Sequence, residues 1–113
     1  MIPNLEKIPA ISAGYARRFP DGNTPFQIMT RLLEECGELA QQVNHFEGTG
    51  VKREKYGEPD RAKLAKEAQN VLTCVFSLIA YYGIEPELAA SLEQSYQRLK
   101  KEGFIESMAE TVK

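Results

Sequence analysis

Three carboxylates, Glu34, Glu35 and Glu38, fall within five positions of Leu32-Leu33-Glu34-Glu35-Cys36-Gly37-Glu38-Leu39-Ala40, a run otherwise patterned as an apolar helix. On a helix Glu34 and Glu38 stand one turn apart and Glu35 and Glu38 three positions apart, so all three project from neighbouring parts of one surface. Like charges at that spacing repel and raise one another's pKa. A hard divalent cation with oxygen ligands removes the penalty most directly. The plainer reading of the same run is a solvated acidic face on a surface helix.

Glu67 supplies a second acidic position inside Leu64-Ala65-Lys66-Glu67-Ala68-Gln69-Asn70-Val71-Leu72, with Asn70 three residues on and on the same helical stripe. Two helices each offer an i, i+3 pair of oxygen-bearing side chains. Packed antiparallel, they would set Glu35 and Glu38 opposite Glu67 and Asn70, as bundle proteins assemble metal sites from facing helices. Magnesium, with manganese as a substitute, suits this donor set better than zinc or iron. The ligands are carboxylate or amide oxygens, no histidine stands at metal-ligand spacing, and Cys36 and Cys74 lack zinc-site spacing. Asn70 reads equally as a polar group that fixes helix register.

Together the two motifs resemble the MazG-like nucleoside triphosphate pyrophosphohydrolases, whose mark is EExxE followed after a variable gap by ExxD. Glu34, Glu35 and Glu38 complete the first half, the 28 residues 39–66 intervene, and Glu67 opens the second half, which closes on Asn70 where the family carries aspartate. The likeness covers roughly residues 24–82 and is far more specific for the pair of motifs than for either one. It implies an all-α, antiparallel bundle of four to five helices completed by homo-oligomerisation, as a dimer or tetramer. The implied reaction is Mg2+-dependent attack of water on the α-phosphorus of a nucleoside triphosphate, releasing a monophosphate and pyrophosphate in the service of nucleotide-pool house-cleaning.

Residue by residue, the resemblance makes Glu34, Glu35, Glu38 and Glu67 the catalytic carboxylates. Glu35, Glu38, Glu67 and Asn70 would surround the ion, and Glu34 would orient or deprotonate the nucleophile. Lys63 and Lys66 fall one turn from Glu67 and Asn70 and can reach phosphate oxygens or pair with a carboxylate. Arg98 and Lys101, with Tyr96 and Lys100 nearby, sit where the family tends to place groups that grip the triphosphate or base. Asn70 lacks the charge of a carboxylate, which weakens ion binding. It therefore sustains an expectation of a different class: a catalytically weak or inactive helical module that binds a nucleotide or a protein partner.

At 113 residues the chain reads as one domain, 1–113, whose core would be thin in a single subunit. A net charge of −2 offers no basic field for a polynucleotide. Cys36 and Cys74, in apolar company, read as buried thiols of a reducing cytosol. The N-terminus lacks a secretory pattern, and the most apolar stretch, residues 71–84, is shorter than the ~20 residues of a spanning helix, so the expected location is cytoplasmic with no membrane partner.

Helix punctuation positions the motifs. Thr24-Pro25-Phe26-Gln27 predicts a capped start to a helix that runs to about Phe46, with Leu32, Cys36, Leu39, Val43 and Phe46 as its apolar face and Gly48-Thr49-Gly50 as its stop. Gly37 inside it costs roughly 1 kcal/mol against alanine, which predicts that a neighbouring helix or ligand comes close. Residues 48–59, with Lys52, Arg53 and Lys55, read as a mobile loop. Pro59-Asp60 opens a helix to Tyr82 whose core face is Leu64, Ala68, Val71, Leu72, Val75, Phe76 and Ile79, and Gly83 ends it. Glu85-Pro86-Glu87 starts another helix to about Glu102, and a shorter one is expected between Asn4 and Arg18. Arg31, one turn before Glu34 and Glu35, can pair with either. His45 is expected at the surface or facing the helix dipole.

Overall fold

The computed structural model describes residues 2–48 and 51–106, with the backbone alone at 51–53. The protein is an all-α helical bundle. A short 3-10 turn, Leu5–Lys7, leads into α1 (Ile8–Arg18), followed by α2 (Pro25–Glu47), α3 (Val51–Tyr56), α4 (Arg61–Tyr82) and α5 (Glu85–Lys101). The chain groups into two compact units, Met1–Tyr81 and Tyr82–Lys113. Among the described residues no single helix is long and apolar enough to cross a membrane.

In the first unit α2 starts where its punctuation predicts. The Gln27 amide donates to Thr24 Oγ1 at 3.3 Å, and the Thr24 amide donates to Gln27 Oε1 at 3.1 Å. Two orphan amides of the first turn are thereby satisfied, with Pro25 placed where no amide is needed. The inward face of α2 differs from the expected one. Ile28, at 3% exposure, is its most buried residue, and Leu32, Glu35, Leu39, Gln42 and Phe46 follow it half-buried. Cys36 is exposed and Val43 is 47% exposed, so these two leave the predicted core. The physical reason is that 3-4 spacing holds for two neighbouring stripes of this helix, about 100° apart, and both are largely apolar.

Asp60 caps α4: its Oδ1 accepts from the Ala62 amide at 2.8 Å and its carbonyl from Leu64 at 3.1 Å. Thr73 and Ile79 are buried, each at 8%, whereas Leu72 is 41% exposed and drops out of the predicted core face. A polar seam that the hydrophobic pattern does not reveal joins α1 to α4. Ser77 Oγ donates to the Thr73 carbonyl at 3.1 Å, leaving Ser12 Oγ to donate to Ser77 Oγ at 2.7 Å. Ser12 is 5% exposed, so its hydroxyl depends on that partner. Gly83, at φ 62°, ends α4 in the left-handed region that glycine adopts without strain.

Residues 51–56, expected within a loop, form the short helix α3. Thr49 and Gly50 of the predicted stop lie outside the described residues. The region is tied back to α2, since His45 Nε2 lies 2.8 Å from the Gly57 carbonyl and its ring meets Tyr56 edge-on at 6.2 Å. His45 is therefore half-buried against this segment instead of free at the surface. In the second unit α5 closes on a Schellman turn, in which the Phe104 amide donates to Leu99 at 2.8 Å and Gly103 to Lys100 at 3.1 Å.

The hydrophobic interior is small. Ile8, Ile28 and Ile79 are the buried apolar side chains among the described residues, while Phe26 is 87% and Leu33 66% exposed.

Candidate metal centre

Three contacts along α2 fix its direction against α4. Arg31, Glu35 and Cys36 near its start share an electrostatic environment with Cys74, Glu38 faces Glu67, and His45 at its end meets Gly57 just before α4. The residue numbers run in opposite senses, so the two helices are antiparallel.

That arrangement brings Glu35 and Glu38 together with Glu67. One carboxylate oxygen from each lies within 4.8 Å of the others. Glu35 and Glu67 are half-buried and Glu38 is exposed, so the group is closed from beneath and open to solvent on one side. Helix geometry explains the grouping: Glu35 lies on the Ile28 stripe that packs inward, and Glu38 lies three residues on at its edge.

None of the groups that shift the Glu38 carboxyl is a cation. Glu38 is held above its ordinary pKa of 4.5, first by the hydrogen bond it shares with Glu67, then by the charges of Glu35 and Glu67, then by desolvation, and last by a hydrogen bond with Glu35. Glu35 Oε2 and Glu67 Oε2 are each buried with no hydrogen-bond partner. Buried carboxylate oxygens are costly unless paired or bound to metal. Two oxygens on one magnesium, at about 2.0–2.1 Å each, lie at most about 4.2 Å apart, and on calcium about 5 Å. Three equally spaced oxygens around one ion lie at most about 3.6 Å apart on magnesium and about 4.5 Å apart on calcium, so from the observed limit of 4.8 Å either ion would draw the carboxylates inward.

The remaining predicted residues divide into near and separate. Asn70 is half-buried on α4, one turn beyond Glu67. Glu34 is exposed on α2 and outside the three-carboxylate group. Lys63 and Lys66 are exposed on α4, and Arg98 and Lys101 are exposed on α5 in the second unit. Arg31 Nη1 donates to the Gly22 carbonyl at 2.7 Å and its Nη2 to Asn23 Oδ1 at 3.3 Å, fastening α2 to the preceding turn. Cys74 is half-buried and Cys36 exposed, which corrects the expectation of two buried thiols. Burial pushes the Cys74 thiol up, Arg31 pulls it down, and Glu35 and Cys36 add to the rise.

Gln42 was not among the predicted site residues. It lies seven residues after Glu35 on the same stripe, and its buried Oε1 has no hydrogen-bond partner. The i, i+7 spacing from Glu35 is the signal that marks it.

No protein-family profile matches the chain, and no solved structure matches it. The chain is similar to the uncharacterized protein YpjD of Bacillus subtilis (strain 168), at 36% identity over 86 residues that cover 75% of this chain and 69% of that protein. With identity at that level across more than two thirds of both chains, this protein belongs to the YpjD family.

Proposed function

We propose that this chain is a Mg2+-dependent nucleoside triphosphate pyrophosphohydrolase of the MazG-like type, with Mn2+ able to substitute, acting in the cytoplasm to clear nucleotides from the pool. The observation that carries the reading is the convergence of Glu35, Glu38 and Glu67 from two helices, with buried oxygens of Glu35 and Glu67 left without a partner. Glu35, Glu38 and Glu67 would hold the ion, with Asn70 as a neutral fourth oxygen donor. Magnesium bound there supplies charge neutralisation to phosphate oxygens and acidifies water.

In the proposed reaction water adds to the α-phosphorus while the bond from that phosphorus to the bridging oxygen breaks, and pyrophosphate leaves with the electron pair. Glu34, exposed one turn from Glu38, takes the proton of the attacking water. Lys63 and Lys66, exposed on α4, offset charge on the departing pyrophosphate.

Pyrophosphate release from a panel of ribo- and deoxyribonucleoside triphosphates tests the proposal, with and without Mg2+. Turnover that requires the ion and vanishes in Glu38→Ala, with helicity intact by circular dichroism, is the expected result. No release from any nucleotide would favour the non-catalytic module, which Asn70 in place of an aspartate supports. Asn70→Asp is expected to tighten Mg2+ binding and raise turnover. Unchanged or weaker affinity in that variant assigns Asn70 to helix packing.

A further inference from the structure

The close approach expected at Gly37 does not occur among the described residues, since a Cβ built there meets nothing within 4 Å. The unusual position of α2 lies instead on its inward stripe. Ile28, Leu32, Glu35, Leu39, Gln42 and Phe46 follow one another at alternating spacings of four and three, all buried or half-buried. Two polar side chains interrupt that stripe. Glu35 belongs to the carboxylate cluster, whereas Gln42 stands between Leu39 and Phe46, where a leucine would pack without burying an acceptor, and its Oε1 is buried with no hydrogen-bond partner.

Helix geometry places Gln42 beside the cluster. It stands one turn after Glu38, about 6 Å along α2. Because α2 and α4 are antiparallel with Glu38 facing Glu67, Gln42 comes level with Lys63 and Leu64, one turn before Glu67. Helical side chains lean toward their own N-terminus, which carries Gln42 back toward Glu38 and Glu67 toward the level of Gln42. Glu67 Oε2 is likewise buried and unpartnered. Two neighbouring acceptors, neither with a donor, suit a group that brings two hydrogens at once, and water on a divalent cation is such a group. Magnesium keeps several of its waters when carboxylates bind it. The acceptor for such a water lies about 4–5 Å from the ion, a reach that one helical turn matches. We propose that Gln42 is a positioning residue of the metal centre, its carboxamide oxygen accepting a hydrogen bond from water carried by the ion, a role that rests on the ion site proposed for Glu35, Glu38 and Glu67. Gln42 thereby orients that water from outside both acidic motifs, and as a neutral acceptor it leaves the charge of the ion for phosphate oxygens.

Ion binding in the absence of nucleotide tests this role separately from hydrolysis. The full chain is titrated with MnCl2, the free ion being counted by its paramagnetic resonance signal, and MgCl2 is then added in competition. Gln42→Met keeps the length of the side chain and removes the acceptor, and with helicity intact by circular dichroism it is expected to bind both ions about tenfold more weakly. Gln42→Glu retains an acceptor and is expected to bind them at least as tightly as the native chain, a readout that does not depend on the methionine variant. Native affinity in Gln42→Met, or weaker than native affinity in Gln42→Glu, would overturn the role of the carboxamide oxygen and leave the ion site standing. A native chain that binds neither ion would overturn the site itself, and this role with it.

Discussion

Replacing Glu67 by glutamine is expected to stabilise the metal-free protein, although a change at a half-buried position ordinarily destabilises. Glu35 and Glu67 present oxygens within 4.8 Å of each other. Two unit charges at that distance repel by about 0.9 kcal/mol in water and about 3.5 kcal/mol at the effective dielectric of a protein surface. Solvent on the open side of the cluster screens part of this, which leaves about 1–2 kcal/mol to be regained when Glu67 becomes neutral. For a chain of this size that is about 4–8 °C in Tm.

The second half of the prediction concerns the ion. At tenfold excess over its Kd, Mg2+ stabilises the native protein by about 1.4 kcal/mol. Glu67→Gln removes a ligand and most of that gain. The assay is thermal unfolding by circular dichroism at one protein concentration near pH 7.5, in EDTA and in about 10 mM MgCl2, because ligands and self-association both move Tm. The variant should melt higher than the native chain in EDTA and respond little to magnesium. A variant that melts lower in EDTA and keeps the full magnesium response would refute the reasoning, because Glu67 would then be a packed side chain and no ligand.

Glu38 adds a pH dependence whose sign follows from its raised pKa. The native state holds more protons than the unfolded chain once pH climbs past 4.5, so metal-free stability is fully present below that value and falls as pH rises through the folded pKa. Urea midpoints in EDTA between about pH 4 and 8 should fall along that limb in the native chain, and Glu38→Gln should flatten it. Stability rising over the same range through Glu38 would contradict the cluster electrostatics. The Ser12–Ser77 contact predicts an asymmetry: Ser77→Ala strands the buried Ser12 hydroxyl and costs about 1–3 kcal/mol, whereas Ser12→Ala leaves Ser77 bonded to the Thr73 carbonyl and costs about 1 kcal/mol. Denaturant unfolding of the two variants checks it, and equal losses would mean that the seam is wetter than its burial implies.

Local chemistry in the chain is enough to determine where α2 begins, where α4 begins and ends, and where α5 ends. Thr24-Pro25-x-Gln27, Asp60, Gly83 and Gly103 act within a turn of their own position, so their effects need no distant partner. The i, i+3 spacing of Glu35 and Glu38 is likewise local, and it identified two of the three converging carboxylates. Which face of α2 turns inward was not legible. Ile28 with Leu32 and Leu39, and Leu33 with Val43, are apolar stripes of similar strength, and only the packing of α4 against one of them breaks the tie. That choice exposes Cys36 and Val43.

The same tertiary decision brings Glu67 within reach of Glu35 and Glu38 across more than 28 residues and leaves Glu34 facing water. Periodicity fixes angles about a single helix axis, whereas the distance between carboxylates on two helices depends on their relative direction and depth. Burial without a hydrogen-bond partner, as at Glu35 Oε2, Glu67 Oε2 and Gln42 Oε1, is a property of the packed interior alone.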